Sequence, residues 1–176
     1  MTAQTVRRLP SAVPFVRSLT FADYTFRLVG GKALGVGNQF VEVEATRGSL
    51  LLTRFQVPTI GGVLSAEVAD LDRNRFPELY IFTQATGSSS FGFVQGWQFL
   101  PQRRAAVTIA AWERPAPGYM GHDSLWTENG VLCRRFPQYN PGDANAYPTG
   151  GMKTARYQLV PDGQNYRLVS SDQKIR

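Results

Sequence analysis

Residues 63–82, VLSAEVADLDRNRFPELYIF, contain the two strand patterns that decide the fold class. Residues 63–69 alternate apolar with small or polar side chains, as a strand with one buried face does. Residues 79–82 form a short, continuous run of β-prone apolar side chains. The polar segment between them predicts a tight loop, so this stretch predicts two strands joined by a turn.

The rest of the chain repeats this arrangement of short apolar segments and turns. Asn129-Gly130 is a strong hairpin signal, and residues 161–164 form a Pro- and Gly-containing turn. No segment sustains the 3.6-residue period over the ~11 residues that predict a helix. We therefore predict an all-β fold, a β-sandwich of short antiparallel strands or an open barrel. The other predicted strand segments are 20–28, 40–44, 50–57, 91–100, 105–110, 125–127, 131–133, 155–160 and 166–169.

The length of 176 residues suits one domain. Residues 1–19 contain two prolines and little periodicity, so we predict an irregular N-terminal arm followed by a single domain over 20–176. No stretch reaches the ~20 apolar residues of a membrane span, so membrane insertion is not expected. The first eight residues lack the apolar run of a signal peptide.

The formal net charge of +6 comes from arginines placed in ones and twos along the chain. A nucleic-acid-binding module concentrates such residues on one element, so we predict a solvated basic surface and no nucleic-acid partner. The single Cys133 and single His122 exclude a disulfide framework and a zinc site built from several such ligands.

Two clusters of polar residues are candidates for chemistry. Asp70, Asp72 and Asn74 resemble the start of a calcium loop, but Arg75 replaces its glycine and Ile81 its terminal glutamate. We therefore expect these side chains to bond their own backbone, and we predict no metal or cofactor. His122-Asp123 is unsuited to a Ser-His-Asp triad, because an adjacent carboxylate rarely reaches the far imidazole nitrogen.

His122 is therefore predicted to be structural, and Cys133 is predicted to pack in the core. The chain contains several carboxylates, but their presence alone does not indicate a glycosidase. No catalytic residue is predicted.

Residues 83–92 are unusual, because they place small hydroxyl residues and glycines between two strand segments, ending in an aromatic ring. Such a slim loop can enter a narrow polar cleft and offer hydroxyl and N–H groups to carboxylates. The alternative is a flexible connection that has no partner.

Five blocks together resemble the periplasmic inhibitors of invertebrate-type lysozyme found in Gram-negative bacteria. The resemblance covers about residues 63–169 and lies in the blocks 67–80, 87–92, 118–123 (Gly-Tyr-Met-Gly-His-Asp), 134–137 (Arg-Arg-Phe-Pro) and 148–151. It implies a non-catalytic β-sandwich, periplasmic or secreted, that forms a homodimer and protects peptidoglycan by inserting a Ser-Gly-x-Tyr loop into the lysozyme cleft.

Carried over to this chain, the resemblance predicts a lysozyme-binding loop that differs from the family pattern at two positions. Ser89 stands where the family has glycine, and Phe91 stands where it has tyrosine. The residues of the predicted loop are Gly87, Ser88, Ser89, Ser90, Phe91 and Gly92.

Two other functions stay open at this point. Trp97, Trp112 and Trp126, with seven tyrosines, could form the stacking platform of a non-catalytic peptidoglycan- or carbohydrate-binding module. A glycosidase-like enzyme would need a concave pocket with two carboxylates about 5–10 Å apart.

Overall fold

The computed structural model describes residues 15–30, 39–109 and 116–171. Within these ranges the chain forms strands without helices, which confirms the all-β prediction. The described residues include no helix long enough and apolar enough to cross a membrane. The strands are β1 (Val16–Phe21), β2 (Tyr24–Gly30), β3 (Gln39–Arg47), β4 (Leu50–Thr59), β5 (Gly62–Ala69), β6 (Glu78–Gln84), β7 (Gly92–Leu100), β8 (Arg103–Ile109), β9 (Ser124–Glu128), β10 (Val131–Pro137), β11 (Met152–Asp162) and β12 (Asn165–Ser170).

The strands form two sheets. The four-stranded sheet has the order β1-β2-β3-β4, and the eight-stranded sheet has the order β5-β6-β7-β8-β12-β11-β10-β9. All pairings are antiparallel except that of β8 with β12, which is parallel. The eight-stranded sheet curls towards a barrel and brings its two edge strands, β5 and β9, together. Glu67 on β5 accepts hydrogen bonds at 2.7 Å from the backbone N–H and the hydroxyl of Thr127 on β9.

Strand β6 lies between two hydrophobic cores, which explains its uninterrupted apolar run. Leu79 and Ile81 face the core shared with the four-stranded sheet. Tyr80 and Phe82 point the opposite way, into the core enclosed by the curled sheet. All four side chains are fully buried. A strand covered on both faces does not need polar alternation.

The four-stranded sheet packs its alternating side chains onto one half of the larger sheet. Phe26 from β2 meets Phe99 from β7 in an edge-to-face contact with ring centroids 4.7 Å apart. Val41 and Val43 on β3 are buried in the same core, whereas Glu42 between them is exposed. The period-two pattern of β3 therefore decides which face of this sheet is covered.

Strand β1 begins at Val16, inside the segment predicted as an irregular arm. It is an edge strand whose first three residues are exposed, so its sequence shows little apolar periodicity. Pairing with β2 forms the strand, through a two-residue turn at Ala22 and Asp23. Residues 1–14 of the predicted arm lie outside the described residues.

The predicted hairpin at Asn129-Gly130 is confirmed and joins β9 to β10. Both residues have positive φ angles, 50° and 78°, as a type I′ turn requires. This turn sets the register that pairs Leu125 with Arg134. Arg134 is one of the residues that support the candidate site.

Candidate functional site

The candidate site is the loop between β6 and β7, residues 85–91, here called the contact loop. Its base is closed by the Ala85 N–H, which donates to the Phe91 carbonyl at 2.8 Å. Its tip is tightened by Ser90, whose N–H and hydroxyl both reach the Gly87 carbonyl at 3.3 Å. The loop is therefore a compact turn with internal bonds.

Three consecutive carbonyls of the contact loop accept hydrogen bonds from neighbouring segments. Asn145 Nδ2 donates to Ser88 at 3.1 Å, the His122 N–H donates to Ser89 at 2.7 Å, and Gln84 Nε2 donates to Ser90 at 3.2 Å. The loop is thus held against the fold from three directions. The expected slim projection is present only at its tip.

The approach of residue 121 to the loop requires glycine. Gly121 has a φ of 96°, and a Cβ there would lie 1.9 Å from the Ser89 carbonyl oxygen. A side chain would displace the loop from its support, so the Gly-Tyr-Met-Gly-His-Asp block holds the loop through its backbone.

A buried ion pair lies beneath the loop. Arg134 donates from Nε to Asp123 Oδ1 at 2.7 Å and from Nη2 to Oδ2 at 3.2 Å. The side chains are 1 % and 0 % exposed, respectively. The same carboxylate accepts the Gly92 N–H at 2.7 Å and the Tyr119 hydroxyl at 2.6 Å. Asp123 therefore ties the first residue of β7 to β10 and to the 118–123 segment.

Tyr119 connects this buried cluster to the surface. Its hydroxyl accepts a bond from Arg134, and burial followed by its bond to Asp123 raises its pKa well above the ordinary value. The tyrosine therefore stays a neutral donor. Its ring meets the ring of Phe91 edge-on at 5.7 Å, so the same residue that satisfies Asp123 also supports Phe91.

The predicted loop residues differ in how much surface they present. Ser88 is exposed, and its N–H and hydroxyl have no partner among the described residues. Phe91 is 39 % exposed, whereas Ser89 and Ser90 are half-buried. Gly92 is buried and serves as the donor to Asp123. The surface available to a partner is therefore centred on Ser88 and Phe91.

Backbone strain falls on Ser90 rather than on Ser89. Ser90 has a φ of 45°, whereas Ser89 is not among the residues with positive φ. The serine in place of the family's glycine at position 89 therefore adopts an ordinary conformation.

The structure confirms the structural interpretation of His122. Its Nε2 lies 3.3 Å from Asn145 Oδ1, and its ring stacks on Tyr139. Asp123 is engaged by Arg134 and does not orient the imidazole. Cys133 is fully buried, which confirms its predicted core position.

The acidic loop, residues 70–78, forms the backbone bonds expected from its sequence. Asp72 Oδ1 accepts the Asn74 N–H at 3.2 Å, and Asp70 Oδ2 accepts the Arg75 N–H at 3.1 Å. Asn74 Oδ1 accepts the Phe76 N–H at 2.8 Å. Glu78 at the start of β6 is fully buried and accepts the Leu71 N–H at 2.7 Å.

A carbohydrate-binding module needs exposed tryptophans, and a glycosidase needs a pocket with two carboxylates. Trp97 and Trp126 are half-buried and do not belong to the exposed large apolar side chains, and Trp112 lies outside the described residues. An open cavity of about 640 Å³ between segments 117–120 and 138–150 is lined by one carboxylate, Asp143. That carboxylate accepts the N–H groups of Asn140 and Thr149, so it holds its own loop.

Three of the blocks that carry the sequence resemblance meet at the contact loop. They are residues 87–92, 118–123 and 134–137, which lie on separate strands or connections. The pairing of Arg134 with Asp123 was not predicted, because nothing local in the sequence indicates it. The adjacent Arg134-Arg135 was attributed to a solvated surface, but only Arg135 is exposed.

No protein-family model and no curated protein sequence matches the chain. Among solved structures, the chain is similar to PliI-Ah, a periplasmic lysozyme inhibitor of I-type lysozyme from Aeromonas hydrophyla. The two are 17 % identical with a TM-score of 0.47, and the similarity covers 53 % of this chain and 86 % of that chain. A likeness of this size shows neither a shared family nor a shared function.

Proposed function

We propose that this protein binds the active-site cleft of a lysozyme through the contact loop and so protects bacterial peptidoglycan from hydrolysis. The observation that carries the proposal is the presentation of unpartnered Ser88 donors on a loop fixed from three sides. Phe91 stands at its edge, 39 % exposed. The resemblance of the surrounding blocks to lysozyme inhibitors supports the same function.

A lysozyme cleft holds two carboxylates, at least one of them ionised. The Ser88 N–H and hydroxyl can donate to such a carboxylate, and a charge-assisted bond of this kind is stronger than a neutral one. Phe91 supplies an apolar ring where a sugar stacks. Because the loop carbonyls are already bonded within the protein, little backbone entropy is lost when the loop binds.

The charge of the chain limits the choice of lysozyme. A protein with a net charge of +6 associates slowly with a strongly basic enzyme and readily with a neutral or acidic one. We therefore propose an invertebrate-type lysozyme as the partner and the periplasm or the exterior of the cell as the place of action. The protein itself performs no catalysis in this proposal.

The test is a titration of an invertebrate-type lysozyme with the pure protein. Cell-wall lysis measures the inhibition, and calorimetry measures the affinity of the complex. Ser88→Asp should reduce affinity more than about 100-fold, because it places a like charge against the cleft carboxylates. Ser49→Asp, which makes the same charge change in the exposed β3–β4 turn, is the matched control and should retain binding.

Absence of inhibition at micromolar protein would overturn the proposal. Equal affinities of Ser88→Asp and the wild type would show that another surface makes the contact. Binding of muropeptides without any effect on lysozyme would instead support a carbohydrate-binding module.

A further inference from the structure

Three carboxylates meet where the acidic loop joins β6. One oxygen from each of Asp70, Asp72 and Glu78 lies within 4.8 Å of the others. Glu78 is fully buried, and the two aspartates are half-buried. Gln98 on β7 is the direct cross-strand partner of Glu78, so its amide reaches the same place.

Two fully buried side chains on the strands that form this cluster carry polar atoms without a partner among the described residues. They are Gln98, through its Oε1, and Tyr80, through its hydroxyl. Tyr80 lies two residues from Glu78 along β6 and therefore on the same face of the strand. Asp70 Oδ1 is also buried without a partner. Orphaned buried oxygens are rare in native proteins, and a bound ion or ordered water is one of their recognised explanations.

The Gln98 amide touches the cluster directly. Its Nε2 lies 2.9 Å from Glu78 Oε1 and 3.1 Å from Asp72 Oδ2. A half-turn of the amide about its last bond exchanges Nε2 with the unpartnered Oε1. The carbonyl oxygen would then face two carboxylate oxygens, an arrangement that requires a cation or a proton between them.

No basic side chain neutralises this cluster among the described residues. None of the ion pairs there involves Asp70, Asp72 or Glu78. Arg73 and Arg75 belong to the loop, but both are exposed. The carboxylates accept hydrogen bonds only from uncharged N–H groups among the described residues, so their negative charge is not compensated there. A hard divalent cation prefers carboxylate and carbonyl oxygens of this kind as ligands.

We propose that Asp70, Asp72 and Glu78, with the Gln98 amide oxygen, bind a hard divalent cation at the entry to β6, with Ca²⁺ as the ion of fitting size. The site tolerates several oxygen ligands at uneven positions, which suits Ca²⁺ better than the strict octahedron of Mg²⁺. Its role is to fix the acidic loop to β6 and β7. The site is separate from the contact loop, which follows the opposite end of β6.

The experiment uses chelator-treated full-length protein titrated with CaCl₂ up to about 10 mM, which covers the affinities of extracellular calcium modules. Isothermal calorimetry should show saturable binding. The Tm should rise by about 5–10 °C when calcium reaches 100 times the dissociation constant. Tb³⁺ in place of Ca²⁺ should give emission sensitised by Tyr80 when tyrosine is excited, and Ca²⁺ should quench it by displacement.

Asp70→Asn is the informative variant, because its remaining carbonyl oxygen can still accept the Arg75 N–H. It replaces the unpartnered Oδ1 by an amide group and should lower calcium affinity at least about tenfold. Asp162→Asn is the matched control, since it removes the same charge from the exposed end of β11 and should bind calcium as the wild type does.

Two results would overturn the proposal. One is the absence of saturable calcium binding to the wild type over the whole titration. The other is an unchanged affinity in Asp70→Asn, which would place the cation elsewhere. Both measurements report calcium binding and do not involve lysozyme, so a negative result would not affect the proposed function.

Discussion

At each of the two loops that flank β6, a buried carboxylate accepts a backbone N–H group, but the two carboxylates differ in their counter-charge. Beneath the contact loop, Asp123 accepts the Gly92 N–H at 2.7 Å. In the acidic loop, Glu78 accepts the Leu71 N–H at 2.7 Å. Asp123 is paired with Arg134, whereas Glu78 meets the neutral Gln98 amide. Asp123 thus has a cationic partner, whereas Glu78 has none within the ranges that the structure describes.

The difference shows what a buried carboxylate requires. A charge removed from water is costly unless it is paired, and an unpaired acid takes up a proton instead. Burial, opposed in part by the bond from Leu71, raises the pKa of Glu78 to about 8. The carboxylate beneath the contact loop is therefore neutralised by Arg134, whereas the buried Glu78 requires a proton or the cation proposed above.

Removing the counter-charge of the contact loop should have the largest effect. Arg134→Met leaves Asp123 buried and unpaired, so the free energy of unfolding should fall by about 3–5 kcal/mol. Urea denaturation measures this loss, and lysozyme binding should be lost with it.

The matched control for that substitution is Arg167→Met. It removes an exposed ion pair with Asp162 at 3.8 Å and should cost less than about 1 kcal/mol. Equal losses in the two variants would contradict the role given to the buried pair.

The acidic loop should make stability depend on pH when a chelator is present. Glu78 keeps its proton up to about pH 8 in the folded protein but releases it near its ordinary value of 4.5 when unfolded. Between these values the folded state binds more protons, so raising the pH favours unfolding. The free energy of unfolding should fall by about 3–4 kcal/mol from pH 5 to pH 8.

Glu78→Gln tests the origin of that slope. The variant lacks the titrating group, so its stability should change less with pH than that of the wild type. Urea titrations at both pH values compare the two proteins. Parallel pH profiles would assign the dependence to other groups.

A smaller change is expected when Phe91 receives the hydroxyl that the lysozyme-inhibitor family has at this position. Phe91→Tyr should tighten lysozyme binding by about 0.5–1.5 kcal/mol, the net value of one hydrogen bond. The edge-on contact with Tyr119 does not depend on the new hydroxyl, so thermal stability should stay the same. A weaker complex in calorimetry would show that the exposed ring edge is buried in an apolar part of the cleft.

The smallest effects concern the backbone of the contact loop. Ser90→Gly should stabilise the protein by less than about 1 kcal/mol, since Ser90 has a positive φ and its hydroxyl bond to Gly87 is long. Ser89→Gly should instead destabilise it slightly, because Ser89 needs no such freedom. Thermal unfolding of both variants compares the two positions. A loss of stability in Ser90→Gly together with a gain in Ser89→Gly would contradict the assignment of strain to Ser90.

Much of the fold could be predicted from local patterns. Alternation in residues 40–44 and 63–69, and the Asn129-Gly130 hairpin, predicted strands that the structure contains. These signals are local because side-chain direction in a strand repeats every two residues. Strand β1 was missed, since an exposed edge strand depends on pairing with β2 rather than on its own burial.

The candidate site could be predicted only in part. The composition of residues 83–92 indicated an exposed loop able to contact a partner, and its lysozyme-binding role stays a prediction. The supports of the loop were not predictable, because Asn145, Gly121 and Arg134 are distant from it in sequence and meet it only through sheet topology. The same holds for Gln98, which pairs with Glu78 across two strands.

The sequence by itself therefore determined the all-β class, most of the strands, the turns and the surface chemistry of the contact loop, since these follow from neighbouring residues. Tertiary structure alone decided that Arg134 is buried against Asp123 and that three carboxylates gather at Glu78, with no basic partner in the part of the chain that the structure describes. The reason is that burial and counter-charge depend on residues brought together by non-local strand pairing, which no short stretch of sequence encodes.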